Sequence, residues 1–420
     1  MKLRNDRSPA PRARQRILLV GLNYAPETTG IAPYTAGIAR ALAEDHDVQV
    51  LTAHPHYPQW RVHDGYGGWR ADVRDADVHV SRLRHYVPAE PAGTSRIVSE
   101  LSFAARAYAA RVQRPDLVIA VTPALLSASA AVRMAKRWGV PCGIQVQDIY
   151  SLAVESIGGL GGRLATRVRQ LEAWTLRQAD GVATIHDRMA VAVSALSGIP
   201  VDDVTVVRNW THVSAPTVAR EEMRRRLGWR PDQTVLLHAG NMGAKQGLEN
   251  VVAAGRAASS RPEDVRVILM GDGSERQRLG ELASGAERVE FMAPVGNDDF
   301  TNVLAAADVL CLNERPGLKE MCAPSKLTSY FATGVPVVAA TEAESAAAHD
   351  VRASGAGLVV TPGDPQALLD GVSALVGDAG RERGSRGPVF AAETLSQSAA
   401  VAAYRSWAAD LVAGKRSPST

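Results

Sequence analysis

Thr234-Val235-Leu236-Leu237-His238 runs through Ala239 into Gly240-Asn241-Met242-Gly243-Ala244-Lys245-Gln246-Gly247, and a helical pattern begins at Leu248. A short apolar run, a glycine-rich turn and a helix form the repeating unit of a parallel α/β sheet. The same order follows at once. Val265 to Met270 is a strand, Gly271-Asp272-Gly273 a turn, and a helix starts at Ser274. Val289 to Phe291, Val309 to Leu312 and Val335 to Ala339 continue the series. Strands this apolar are expected to be buried on both faces.

The pattern also extends toward the N-terminus. Ile17 to Val20 reads as a strand, Pro33 to Glu44 as a helix and Val48 to Thr52 as a strand. Leu117 to Val121, Pro123 to Trp138 and Val140 to Gln147 repeat strand, helix and strand, and Gly181 to Ile185 and Val204 to Val207 add two buried strands. Two such series predict two Rossmann-like doubly wound domains with ligands at the carboxyl ends of their strands. Pro216 and a polar run interrupt the pattern between them. The division expected is a basic arm over 1–16, an N-terminal domain over 17–210, a C-terminal domain over 211–390 and, over 391–420, a C-terminal helix that crosses back to the N-terminal domain. Arg381 to Pro388, rich in Gly and Arg, reads as a loop, and Ala391 to Val412 as one amphipathic helix.

The chain has 420 residues, 46% hydrophobic and 22% charged, with a net charge of +3. This composition suits a soluble globular protein and gives no argument for nucleic acid as a partner. Cys142, Cys311 and Cys322 form no CxxC or Cys/His cluster, so neither a zinc site nor a disulfide framework is expected. No apolar stretch is long enough to span a bilayer, and the basic N-terminus lacks the apolar core of a secretory signal. A cytoplasmic location is therefore expected. The segment Arg96 to Arg114 interleaves Ile97, Leu101, Phe103, Tyr108 and Val112 with Arg96, Arg106, Arg111 and Arg114. Such a helix either packs its apolar side on the sheet or rests on anionic lipid.

Four loops carry candidate chemistry. In Tyr24 to Ile31, Gly30 precedes a helix, where backbone amides can approach an anion; the alternative is a tight turn. In the second loop Lys245 sits between glycines at a strand end, which suits a diphosphate, and no Lys-Ser/Thr pair makes it a Walker A loop. In the third, Gly271 and Gly273 leave room for a ribose or base, or make a plain turn. In the fourth, Glu320, the amides of Cys322 and Ala323, and Lys326 gather ahead of a helix starting near Ser325. Asp148 either orients a ligand hydroxyl or caps the next helix. His186 ends a strand and reads equally as a ligand contact or a structural histidine; His54 and His56 lie in the loop after the second strand and either meet a ligand or are plain loop positions.

With these segments in order, the chain resembles retaining GT-B glycosyltransferases of family 4, in particular the bacterial colanic acid, exopolysaccharide and O-antigen type. The markers are Tyr24 to Gly30, Pro55 to Pro58, Gln147-Asp148, Arg208-Asn209-Trp210, Gly240 to Gly247, Gly271 to Gly273, and Pro324-Ser325-Lys326-Leu327 with Gly334-Val335-Pro336-Val337. The resemblance implies a nucleotide-sugar donor, UDP- or GDP-linked, held mainly by the C-terminal domain. Lys245 would meet its diphosphate, Gly271 and Gly273 its nucleoside, and Met292 to Val295 its base, with Gly30 approaching from the other side. It implies a glycan or lipid-linked acceptor near Asp148 and His186, and no metal. Departures are Asn241, where many members have arginine, and Ser329, where many have a ribose-binding glutamate; Glu320 lies one place off the usual position. A transferase acting on a soluble secondary metabolite, a sugar-nucleotide epimerase and a non-catalytic sugar-nucleotide binder are the competing readings.

Overall fold

The computed structural model describes residues 14–28, 30–89, 94–152, 162–211, 213–317 and 325–414. Two sheets organise them. The first has strands β1 (Arg16–Val20), β2 (Asp47–Ala53), β3 (Arg70–Asp75), β4 (Val78–Leu83), β5 (Leu117–Val121), β6 (Cys142–Val146), β7 (Gly181–Thr184) and β8 (Val204–Val206), in the order β3-β4-β2-β1-β5-β6-β7-β8. All neighbours are parallel except β3, which returns antiparallel along β4. The second has β9 (Thr234–Ala239), β10 (Val265–Met270), β11 (Val289–Met292), β12 (Val309–Asn313), β13 (Val337–Ala340) and β14 (Gly357–Val360), in the parallel order β11-β10-β9-β12-β13-β14.

The order reverses at β1, which pairs with β2 on one side and β5 on the other, with Ile17 opposite both Val48 and Leu117. It reverses again at β9, between β10 and β12. Crevices open at such switch points, because the two connections leave the sheet in opposite directions. The loops beginning at Gly21 and Gly240 sit there. The central strands of each sheet are buried on both faces: Ile17 and Leu19 face one apolar cluster, Leu18 and Val20 another. That explains the unbroken apolar strands.

The helix Gln397–Val412 packs on the first sheet's domain. Tyr404, Trp407 and Leu411 join the cluster of Ile17 and Leu19. Gly143 and Gly181 make room for it, since a Cβ on Gly143 would lie 2.7 Å from the Trp407 ring and one on Gly181 2.8 Å from Leu411.

Two expectations need correction. Arg381 to Pro388 is not a loop but parts of the helices Asp378–Gly384 and Arg386–Thr394. Its glycines serve close packing: a Cβ on Gly384 would lie 2.2 Å from Gly334 O, and one on Gly387 2.7 Å from Phe331 O. The final helix is also two, broken at Leu395–Ser396, where the Ser396 side chain accepts from Ala399 N and starts a new turn. The β3–β4 hairpin was not read from sequence, because β3 is largely exposed and polar and carries no apolar run.

Candidate functional site

The loop after β9 is built by contacts that the sequence half-announces. Gly240, Gly271 and Gly273 all have positive φ, at 125°, 143° and 154°. A Cβ on Gly271 would stand 2.0 Å from Gly240 O, and one on Gly273 2.5 Å from Met242 O. Backbone thus lies directly on backbone, which no other residue permits. Asn313, at the end of β12, donates to Gln246 O at 2.7 Å and Gly247 O at 3.0 Å, and Arg315 N donates to Lys245 O. These bonds fix the single 3-10 turn Ala244–Gln246 that carries Lys245. Asn241 is exposed beside it. Lys326, in the first turn of the helix Ser325–Ala332, lays its side chain along Gly240. Ser329, in the same helix, is buried. Met292 and Val295 are half-buried against the core at the end of β11. Glu320, Cys322 and Ala323 lie outside the described residues, as does most of the basic arm.

Lys245 meets the N-terminal domain at Asp148: Nζ is 3.6 Å from Oδ2, with both side chains largely covered. Burial raises the Asp148 carboxyl above its ordinary range, while the positive charges of Lys245 and Arg96 pull it back. Its Oδ1 is buried with no hydrogen-bond partner. The turn that follows is held by Glu172 instead, whose carboxylate accepts from Tyr150 N at 2.8 Å and Ser151 N at 2.9 Å. Glu314 stands at the end of β12, pushed up by burial, held by the Thr341 hydroxyl and drawn down by Lys326 and Lys245.

On the opposite wall Glu27 is the organiser. Its carboxylate accepts from His56 N and Tyr57 N, both at 2.8 Å, and from Asn23 Nδ2 at 2.9 Å. It therefore ties the segment Tyr24 to Gly30 to Pro55 to Pro58. Tyr57 then abuts Gly30, whose added Cβ would touch its ring at 3.4 Å. Burial raises the Tyr57 hydroxyl, and Arg96 and Lys245 bring it down, so the same two cations face it. Gly30, Tyr57, Arg96, Asp148 and Lys245 thus converge on one cleft.

The histidines are elsewhere. His56 is buried, with Nδ1 against His54 O, and desolvation lowers its pKa. His54 is buried and bonds Gly68 O through Nε2 at 2.8 Å. His186 is fully buried; its Nδ1 accepts from Arg188 N, so the proton is on Nε2, which donates to Asp350 Oδ1 at 3.2 Å. Arg208 bonds both Asp350 oxygens, at 2.7 and 2.6 Å. Burial alone would raise the Asp350 carboxyl, but His186 and Arg208 outweigh it and leave it low. His186, His349 and Asp350 bring three potential metal-ligand atoms within 4.8 Å of one another. The carboxylate there is already bridged by arginine, and the arrangement is an ion-paired seam between the domains. The other markers are structural too. Asn209 and Gln147 exchange side-chain hydrogen bonds, and Trp210 packs against Tyr34 and Gly37.

The helix Thr94–Ala109 packs part of its apolar side on the domain and leaves part uncovered. Phe103, Ala104 and Ala107 are buried, whereas Val98, Leu101 and Tyr108 are exposed. The arginines do not form one open stripe: Arg106 stacks on Trp69, Arg96 leans over Tyr150, and Arg114, beyond the helix, donates to Trp138 O. Among the described residues no helix is long and apolar enough to cross a membrane.

Sequence reading missed Glu27, Glu172, Asn313, Glu314 and Asp350. A polar residue at the end of an apolar strand would have flagged Asn313 and Glu314. The others sit in loops or helices with no local signal.

Comparison with known proteins agrees with this architecture. Residues 29–210 match a glycosyl transferase 4-like domain and residues 233–378 match glycosyl transferases group 1. The chain is 31% identical over 375 residues to glycosyl transferase WcaI of Escherichia coli (strain K12), named for colanic acid biosynthesis, covering 85% of this chain and 91% of that one. Sucrose-phosphate synthase from Thermosynechococcus elongatus superposes with a TM-score of 0.74 at 18% identity, over 96% of this chain and 100% of that one. Anabaena Alr3699/HepE, solved with UDP-glucose, gives 0.67 at 17% identity, over 95% and 100%. The two sheets, their facing switch points and the paired domain matches place this protein among the GT-B glycosyltransferases of family 4.

Proposed function

We propose that the protein transfers a sugar, with retention of configuration and without a metal, from a nucleoside-diphosphate donor to a hydroxyl of a glycan or lipid-linked acceptor in cell-surface polysaccharide biosynthesis. The observation that carries this is Lys245. It projects from a glycine-built loop at one switch point and reaches Asp148 at the carboxyl end of the other sheet, 3.6 Å away. Lys326 beside Gly240 adds a second cation on the donor side. The relative named for colanic acid biosynthesis and the neighbour solved with UDP-glucose support the donor and the pathway class.

In this reading the donor diphosphate displaces Asp148 from Lys245. Lys245 then stabilises the charge that grows on the leaving phosphate, which itself takes the acceptor's proton. Asp148, with Oδ1 unpartnered, orients the attacking hydroxyl. Met292 and Val295 lie along the base and Gly271 and Gly273 along the nucleoside. The exposed Val98, Leu101 and Tyr108 would rest on anionic membrane, which vesicle co-sedimentation tests directly.

The decisive experiment is a thermal-shift screen with UDP-, GDP- and TDP-sugars, followed by turnover assays on any donor that stabilises. Lys245→Ala is expected to lower kcat/KM by about a hundredfold or more while the protein stays folded. Full activity of that variant on saturating donor would sink the phosphate assignment. Stabilisation without turnover would mean a binding protein instead.

A further inference from the structure

A cavity of about 850 Å³ opens in the N-terminal domain, where β2 and β4 end, and is closed on one side by Ser102, Ala105 and Arg106 of the helix Thr94–Ala109. Its volume lies within the ~300–1,000 Å³ typical of ligand sites. It is not the cleft of Lys245, but the two share a wall. That wall is the segment His54 to Trp60, which Glu27 fixes through the amides of His56 and Tyr57. Tyr57 lies against Gly30 on the Lys245 side. His54 lines the cavity, and His56 stacks edge-on against the cavity residue His85, with ring centroids 4.8 Å apart.

The lining has three properties that belong together. First, it holds buried polar atoms with nothing to bond. Both ring nitrogens of His85 lack partners, and so does His54 Nδ1. Because His54 Nε2–H donates to Gly68 O, its Nδ1 is a lone pair waiting for a donor. Burial pushes His85 down to about 3, so its ring is neutral and offers one N–H and one lone pair. Buried groups left in this state are costly, and a hydroxylated ligand toward which the rings turn satisfies them. Second, large aromatic faces stand open at the same place: Trp69 is 72% exposed, Tyr86 49% and Tyr66 38%. Third, the charge leans positive. Arg84 stands exposed in the lining, and Arg106, stacked on the Trp69 ring at 3.4 Å, donates to Trp69 O; Asp64 is the one carboxylate in the lining.

We propose that this cavity binds an acidic sugar unit of the acceptor: its carboxylate or phosphate on Arg84 and Arg106, its hydroxyls on His54 and His85, and its ring against Trp69, Tyr66 or Tyr86. The proposal rests on the reading that the acceptor enters from the N-terminal domain. The unit held here sits beside the one that reacts, and the acceptor passes the His54 to Trp60 wall to reach Lys245. An enzyme selecting its acceptor this way extends chains that already carry a negative charge.

The test uses the full chain and saturation-transfer NMR, with UDP, GDP and TDP present together to occupy the donor site. The probes are methyl β-D-glucuronide, glucose 6-phosphate and methyl β-D-glucoside. One acidic probe is expected to bind at least about tenfold tighter than the neutral glucoside, and which one does so tells carboxylate from phosphate. Arg84→Gln is expected to erase that preference while leaving the glucoside within about twofold. His85→Phe is expected to weaken all three, and the exposed Tyr86→Ala serves the same purpose if His85→Phe does not fold. Equal binding of acidic and neutral probes, an unchanged preference in Arg84→Gln, or no sugar binding by the native protein overturns the proposal. Lys245→Ala is expected to keep the sugar preference. A protein that prefers the acidic probe yet binds no nucleotide leaves this cavity standing and removes the donor reading instead.

Discussion

The two halves of this protein shape their ligand-facing loops by different means. In the C-terminal half, glycine does it. Gly240, Gly271 and Gly273 let backbone press on backbone, and Lys245 is presented on the result. In the N-terminal half, buried carboxylates do it. Glu27 gathers the amides of His56 and Tyr57, and Glu172 those of Tyr150 and Ser151. The glycine device needs no partner beyond the neighbouring strand's loop. The carboxylate device needs a charge from a distant segment and a buried setting in which charge-assisted bonds are strong.

That contrast can be broken most sharply at Gly271. Gly271→Ala is expected to destabilise the protein by about 3 kcal/mol or more, since the Cβ would meet Gly240 O at a φ of 143°. Urea unfolding that moves by less than about 1 kcal/mol would show the loops to be adaptable.

The carboxylate side is probed at Glu27. Glu27→Ala leaves two buried amides without acceptors and is expected to cost about 2–4 kcal/mol. Its sharper signature is faster hydrogen exchange confined to the segment His54 to Trp60. Unchanged exchange there would mean the segment holds itself.

Buried carboxylates also make the N-terminal half pH-sensitive. Glu100, buried in the helix Thr94–Ala109 and 3.6 Å from Arg96, is pushed up to about 7 by desolvation, against the pull of Arg96. A carboxyl raised on folding favours the folded state below its unfolded value near 4.5, and that advantage is lost as pH rises through about 7. Stability should therefore fall across that window, by up to about 3 kcal/mol. Glu100→Gln is expected to flatten the slope in a series of melts at fixed ionic strength. A parallel slope in the variant would assign the titration elsewhere.

The smallest effect separates structural glycines from incidental ones. Gly280 lies in the helix Arg276–Leu282 with open space around its Cβ position. Gly280→Ala should stabilise by about 0.5–1 kcal/mol through helix propensity and lost unfolded-state freedom. A destabilised variant would show that space alone does not sort these glycines.

The parallel sheets, the two domain series and the loop carrying Lys245 were legible in the amino-acid sequence. The reason is local. An apolar run, a glycine turn and a helical period are encoded by neighbours along the chain, and a strand buried on both faces has little choice but to be apolar. The sequence also marked Gln147, Asn209 and Trp210 without revealing their tasks. Only the tertiary structure decided which partners polar residues take. His186 went to Asp350 and Arg208 in the seam between the domains, Glu172 rather than Asp148 held the turn after β6, and Glu27 joined two loops far apart in the chain. A hydrogen bond across the fold depends on where two remote segments arrive, and that position follows from packing rather than from any pattern near either residue.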